Sequence, residues 1–410
     1  MKTLPRSKHA EHFQHMKKTD SKPPWQNVHW TSNAGFFIQS EQSILQNPPV
    51  GPWVEEVEES LFALKERIQP FDKTELWDLA KRITNPYERI HTQSSRLYLP
   101  PSICLLTPLS RSFFKMIEIL QVTQFFERFL KVSKLRSLHL CEGPGGFIEA
   151  FLYKANEVHK LVQVSYGITL RSTHQIIPGW RRATPFLQKN PNVKLIYGPT
   201  TTGDIYEPEN QKYLTELCAT QKMHLVTADG GFDFSDDFHA QEKMIFRLLV
   251  SSSIIALQTL ATDGDFVLKL FDIQSQVTRD FITLLGSCFK SWTLYKPVTS
   301  RPCNSEWYFL GKSALLHRTP ILQQFIYYRD KLAEGHTFTK LLDGSNPKED
   351  YLQHLQKERM VRQSIALQEV LTYCETTNRE PLRIPLWDAQ IQPSRQWCEV
   401  FRMPMRTTTI

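Results

Sequence analysis

"LHLCEGPGGFIEAF", residues Leu138–Phe151, decides the reading of this 410-residue chain. An apolar run stops at a Glu-Gly-Pro-Gly-Gly turn and resumes with helical spacing, as when a strand feeds a helix through a tight loop. Gly143, Gly145 and Gly146 leave the backbone bare where a ligand would approach, and the following helix opens with N–H groups that need acceptors. In a doubly wound sheet this position is the carboxyl end of a strand, where nucleotides bind. The same turn also suits an ordinary strand-to-helix connection.

Outward from the turn, strands and helices alternate. "LRSLHLC", "KLVQVSYGI", "NVKLIYG", "KMHLVTAD" and "DFVLKLF" read as strands, separated by helices at 145–157, about 206–219 and 239–261. After a helix at 275–289, "SWTLYK" and "EWYFLG" follow, joined by "PVTSRPCNS", which suggests an antiparallel hairpin at the sheet edge. The expected architecture is α/β: a doubly wound, mainly parallel sheet with helices on both faces. Before it, "PWVEEVEESLFALKERI", "KTELWDLAKRI" and a stretch from about Arg111 to Val132 predict a helical region over 25–107 and a helix leading into the glycine strand. Residues 1–24 read as a flexible basic arm. The core domain spans 108–318, and 319–410 read as a helical, then irregular, extension.

The turn discriminates among ligands. A dinucleotide fingerprint needs a third glycine where Phe147, Ile148 and Glu149 stand, and the G-x-x-x-x-G-K-[ST] phosphate loop is absent here. Glu142 would repel a pyrophosphate but suits a cofactor with a cationic end, such as the methionine part of S-adenosylmethionine. In "TTGDI", Asp204 either accepts from an adenine amino group or caps the helix that begins near Tyr206.

Lys269 interrupts the otherwise apolar strand "DFVLKLF", and a lysine there is costly to bury unless paired or used; an edge lysine reaching solvent is the alternative. Asp229, at the end of "KMHLVTAD", lies 40 residues earlier, and Glu306 lies 37 later. Each gap fits one strand-helix-strand unit, so the three side chains could converge. A lysine between carboxylates, beside a sulfonium, is a plausible general base for methyl transfer to a hydroxyl.

At this point the motifs resemble a known family. "LHLCEGPGGFIEAF", "TTGDI", "HLVTADGGFD", "FVLKLF" and "KPVTSRPCNSEWYFLGK", in this order over about 108–313, are similar to those of FtsJ-like ribose 2′-O-methyltransferases, and most of all to the Adrift-type branch that methylates mRNA caps. The resemblance implies a Rossmann-like fold and a Lys-Asp-Lys-Glu catalytic set. It places Asp229, Lys269 and Glu306 in that set and, from "SFFKMIEIL", adds Lys115, with Glu118 one turn on. It implies S-adenosylmethionine as cofactor, held by Glu142, Gly143, Pro144, Gly145, Gly146 and Phe147 with Asp204 and Asp229. The acid that often binds the cofactor ribose after the second strand is missing; Gln163, Ser165 or Thr169 could substitute.

Composition bounds the partners. Net charge is +7 with 41% hydrophobic residues, and no apolar run is long enough for a membrane span. Seven scattered cysteines without a CxxC pair suggest reduced thiols and no structural metal. A cytosolic or nuclear protein is expected, nuclear if the resemblance holds in a cell and cytoplasmic if the source is viral. Arg171, Arg181, Arg182, Arg301 and Lys296 could hold RNA phosphates or be ordinary surface charges. Trp180, Trp25, Trp30 and Trp53 are candidates to stack a cap base, although tryptophan is more often core. The expected partner is 5′-capped RNA, with possible association with other capping or transcription machinery. A ribosomal or transfer RNA ribose methyltransferase, a non-catalytic RNA-binding scaffold and a small-molecule O-methyltransferase are the alternatives.

Overall fold

The computed structural model describes residues 24–26, 28–32, 60–92, 99–171, 179–231 and 241–407. The expected basic arm, apart from Pro24, lies outside them, as does Trp53. The eight strands are β1 (Thr31–Ser32), β2 (Lys134–Leu140), β3 (Leu161–Ile168), β4 (Val193–Ile196), β5 (Met223–Ala228), β6 (Leu260–Leu270), β7 (Phe289–Tyr295) and β8 (Trp307–Ala314). They form one sheet in the order β1-β7-β8-β6-β5-β2-β3-β4. Neighbours from β4 through β6 are parallel, while β8 runs antiparallel to both β6 and β7. The chain winds outward from β2 to β4 and then returns to build from β5, so the crevice at the carboxyl ends of β2 and β5 is the topological switch point.

Two details differ from the sequence reading. The β7–β8 hairpin is not simply an edge, because β8 is wedged between β7 and β6 and β1 covers β7. That strand of two residues falls in the region expected to be helical; it is too short for any periodicity to betray it. The helix expected over about 111–132 is broken: Ser112–Thr123 ends where Gln124 turns left-handed (φ 53°), and Phe125–Arg128 starts again.

Alternation along the strands divides two cores. Val226, Ala228, Phe266, Leu268 and Leu270 face the helices Gln241–Thr259, Gln276–Gly286 and Thr319–Ala333. Leu225, Val267, Tyr308 and Leu310 face the helices Ser112–Thr123 and Gly146–Glu157. Helices therefore cover both faces. Polar residues within β2 are paired across the sheet: Ser137 Oγ lies 2.8 Å from Ser165 Oγ, and His139 Nδ1 lies 2.9 Å from Thr227 Oγ1. Burial pulls the His139 imidazole down to about 3, so it stays neutral.

The C-terminal extension is more helical than the sequence suggests, with Glu349–Glu375, Glu380–Ala389 and Ile391–Val400. Pro381 falls in a first turn, where its missing N–H costs nothing, and burial of Trp387 and Trp397 outweighs the interior Pro385. Leu61, Leu64, Trp77 and Ile83 pack against Met360, Leu367 and Leu371, so the two extensions share a core. No described helix is long and apolar enough to cross a membrane.

Gly203, in the loop after β4, has φ +68°, and a Cβ there would meet the Thr169 carbonyl oxygen at 2.0 Å. Because the obstacle is backbone, Gly203→Ala is expected to destabilise the domain by roughly 1–3 kcal/mol, measured by denaturant unfolding.

Candidate active site

The sheet's alternation explains why the charged residues meet. Lys269 shares a face of β6 with Val267, the face covered by the helix that carries Lys115. β8 runs antiparallel to β6 with Tyr308 opposite Lys269, so the start of β8 lies at the carboxyl end of β6. Glu306, two residues before Tyr308, reaches the same face. Asp229 follows β5, the parallel neighbour of β6. All four sequence candidates thus arrive at one mouth of the sheet.

They form a continuous chain of contacts. Lys115 Nζ lies 2.7 Å from Glu306 Oε1 and 2.9 Å from Oε2. Lys269 Nζ lies 3.4 Å from Glu306 Oε2 and 3.3 Å from Asp229 Oδ1. Burial would draw the Lys269 ammonium down, but Asp229 and then Glu306 outweigh it and raise its proton affinity. Burial likewise opposes the Glu306 carboxylate, and Lys115 and Lys269 overcome this to hold it well below the usual range.

Two members were not read from the sequence. The Tyr308 hydroxyl donates to Asp229 Oδ1 at 2.8 Å, and the Ser300 hydroxyl donates to Glu306 Oε1 at 2.9 Å. The signal for Tyr308 was present: it is two residues from Glu306 and so on its face. Ser300 had none, because it sits in an irregular loop. Glu118 also gains a role. It is fully buried and accepts from the Tyr295 hydroxyl, Val298 N (2.9 Å) and Trp397 Nε1 (3.1 Å), which ties the 296–306 loop to the C-terminal extension. Its burial raises the carboxyl to about 7 despite these donors.

The glycine turn is built differently from the sequence expectation. Glu142 Oε1 accepts from the backbone N–H groups of Phe147 (2.7 Å) and Ile148 (3.4 Å), so these two helix donors are already engaged. Gly145 (φ +108°) is bare because Trp180 presses on it, with ring carbon Cζ3 2.4 Å from where a Cβ would stand; at Gly146 the Ser110 and Ser112 hydroxyls stand at 2.2 Å. Phe147 is a core side chain, its ring centre 6.0 Å from that of Tyr308. Gly143 and Pro144 are half-buried at the mouth. Glu142 Oε2 is buried without a hydrogen-bond partner among the described residues. Burial and the nearby Asp229 carboxylate push the Glu142 carboxyl well above its ordinary value. An orphaned acceptor beside a second carboxylate fits a cationic or donor-bearing ligand.

Asp204 Oδ1 accepts from Tyr206 N at 2.8 Å, so it closes its own turn and does not cap the helix, which starts at Pro208. Of the candidate ribose contacts, only Thr169 lies beyond the carboxyl end of β3; Ser165 is engaged with Ser137, and Gln163 lies in the first half of the strand.

Two of the five basic candidates are corrected. Arg301 forms a two-pronged pair with Glu88 (2.9 and 3.1 Å), and Lys296 donates to Asn304 O, Asn304 Oδ1 and Glu306 O at 2.7–2.9 Å. Both hold the loop that carries Glu306 and are not available to phosphates. Arg171, Arg181 and Arg182 are exposed. Trp180 and Trp25 are packed in the protein, Trp25 edge-on to Tyr87 and Phe401, and Lys312 Nζ sits 4.9 Å from the Trp30 ring centre. Among the described residues, no three His, Cys, Asp or Glu side chains gather as a metal site.

The FtsJ-like methyltransferase family profile matches residues 108–314. The chain belongs to that family. It is 29% identical over 341 residues to the cap-specific mRNA (nucleoside-2′-O-)-methyltransferase 2 of Danio rerio, covering 77% of this chain and 42% of the relative. It is 35% identical over 172 residues to the cap-specific mRNA (nucleoside-2′-O-)-methyltransferase 1 of Trypanosoma brucei brucei, covering 42% and 45%. An inactive cap-specific mRNA (nucleoside-2′-O-)-methyltransferase 1B of Caenorhabditis briggsae is 26% identical over 248 residues, 58% of this chain and 28% of that one. The chain spans less than half the length of each of these relatives.

Glu88 anchors the loop that carries Glu306 from outside the family match. It is fully buried and contacts Arg301, Arg111 (3.3 Å) and Arg82 (3.6 Å). Burial opposes its charge, but Arg111 and Arg301 lower it from the ordinary 4.5 to about 2. A lowered carboxyl stabilises the fold above its unfolded value, and that support disappears as pH falls from about 4.5 towards 2. Glu88→Gln is expected to cost about 3 kcal/mol at pH 7 and much less at pH 3, measured by urea unfolding at both.

Proposed function

We propose that this protein transfers a methyl group from S-adenosylmethionine to the ribose 2′-OH of a cap-proximal nucleotide of mRNA. The observation that carries this is the Lys115–Glu306–Lys269–Asp229 chain at the switch point of a family methyltransferase fold. The curated relatives named for cap-specific methylation support the substrate class. S-adenosylmethionine supplies an electrophilic methyl group on a sulfonium. Glu142 and Asp229, with the half-buried Gly143–Pro144 edge and Gly145, Gly146 and Phe147 behind it, would receive its cationic part, and Asp204 or nearby backbone its adenine.

Lys269 would act as the general base, holding the ribose hydroxyl and taking its proton, while the cofactor would supply the methyl electrophile and leave as S-adenosylhomocysteine. In the resting site its two carboxylates keep it an ammonium, so it must first release a proton to solvent. A cationic ligand drawn to Glu142 and Asp229 competes for that negative charge and eases the loss. Lys115 keeps Glu306 charged and fixed, and Tyr308 orients Asp229. The partner is 5′-capped RNA, with the exposed Arg171, Arg181 and Arg182 available to its phosphates. The same reading gives the nucleus as the place of action in a cell.

Lys269→Arg keeps the charge but stays protonated at working pH. It is expected to lower methyl transfer by about 10²–10⁴-fold while S-adenosylhomocysteine still binds, read by mass spectrometry of the RNA and by calorimetry. Run on capped and uncapped transcripts side by side, the wild-type assay also tests the substrate. Equal activity on both would replace the cap reading with a general RNA ribose methyltransferase.

A further inference from the structure

The C-terminal extension reaches the mouth of the sheet through Arg359. Helix Glu349–Glu375 buries a stripe that is polar midway along: Gln356, Arg359 and Gln363. Gln356 Oε1 accepts from Ile273 N (3.4 Å), and Gln363 Nε2 donates to Cys303 O (3.2 Å). Between them, Arg359 Nη2 donates to Ser305 O (2.9 Å) and to Phe271 O. Its guanidinium carbon lies 4.3 Å from the Trp307 ring centre, and Asp272 Oδ1 is 3.9 Å from Nη2.

These carbonyls belong to the two strands that carry the site. The β6–β8 ladder ends at the pair Leu270–Trp307. Phe271 and Ser305 lie just past it, so Arg359 joins the two chains where their own pairing stops. Lys269 is two residues before Phe271 and Glu306 is one after Ser305. The Phe271 ring centre is itself 5.5 Å from Lys269 Nζ. Arg359 is 5% exposed, and its Nε and Nη1 have no hydrogen-bond partner among the described residues. Burying a cation so incompletely paired is costly, and an apolar residue would pack there more cheaply. What the arginine adds is the bridge.

We propose that Arg359 is a positioning residue of the methyl-transfer site, setting the separation of Lys269 from Glu306 by bridging Phe271 and Ser305. The inference rests on the reading of Lys269 as the base. Among the described residues, the titratable groups that face Lys269 are Asp229 after β5, Glu306 just before β8, Tyr308 on β8, Cys141 and Glu142 after β2, and Lys115 through Glu306. Of these, Glu306 is the one whose distance the bridge controls. Without the bridge Glu306 drifts, the ammonium loses support, and Lys269 gives up its proton at lower pH. The transfer geometry loosens at the same time.

The test compares the 410-residue wild type, Arg359→Ala and Arg359→Lys with S-adenosylmethionine and capped RNA across pH, and counts binding-competent protein by S-adenosylhomocysteine titration. Per competent molecule, Arg359→Ala is expected to lower kcat about tenfold or more with KM changed by less than about threefold. The acid limb of its kcat profile should move to lower pH, and Arg359→Lys should recover part of both effects. An Arg359→Ala loss that only follows the competent fraction, with the limb unmoved, assigns a structural role and overturns the inference alone. A wild type that transfers no methyl group to capped RNA overturns the functional reading, and the inference with it.

Discussion

The Glu306 carboxylate, buried between two lysines, is the constraint on which this end of the sheet depends. A carboxylate at that depth is tolerated only because Lys115, Lys269 and Ser300 meet it within 3.4 Å. Lys269 in turn is tolerated because Asp229 balances it. The four side chains come from four elements, a helix and the ends of three strands, so neutrality of the group is a property of the assembled fold. No two of them are close in sequence.

The position of Glu306 is set by a loop, and the loop is held by two further buried carboxylates. Glu118 takes Val298 N, and Glu88 takes the Arg301 guanidinium, while Arg111 reaches both Glu88 and the Thr299 carbonyl oxygen. Lys296 closes the loop on its own carbonyls, and burial lowers its ammonium to about 7, with Glu306 only partly countering. Glu88 comes from before the family match and Trp397, which shares Glu118, from after it. The extensions are therefore part of the support of the site. Their shared core, with Trp77 and Leu371, makes that support one body.

Strands β2 to β8 were legible because each is a buried run with a clear turn after it. Asp229, Lys269 and Glu306 were legible because a charge in or beside such a run stands out. Lys115 was not: on a helix a lysine is normally solvated, and only the family resemblance selected it. Glu118 is marked only by that same resemblance, with no role attached, and Glu88 and Arg359 carry no signal at all. The partners of Glu88, Glu118 and Arg359 lie 213, 180 and 54 residues away, and local periodicity carries no information about pairing at that range. In sequence Arg301 and Lys296 read as phosphate ligands or ordinary surface charges, because positive charge near strand ends looks alike whether a protein acceptor or solvent faces it.

The glycine turn was read correctly in place and differently in cause. Its bareness serves Trp180, Ser110 and Ser112, which occupy the room that side chains at Gly145 and Gly146 would need. Its helix amides, the usual cradle for a phosphate, are spent on Glu142. A phosphate arriving there would find the Phe147 and Ile148 amides already taken and the Asp229 carboxylate repelling it. A cation would find the opposite: an orphaned acceptor at Glu142 Oε2 and a negative field that its own charge relieves. Which protein group satisfies the helix thus sets the charge the turn accommodates, and here that is a cation rather than a phosphate.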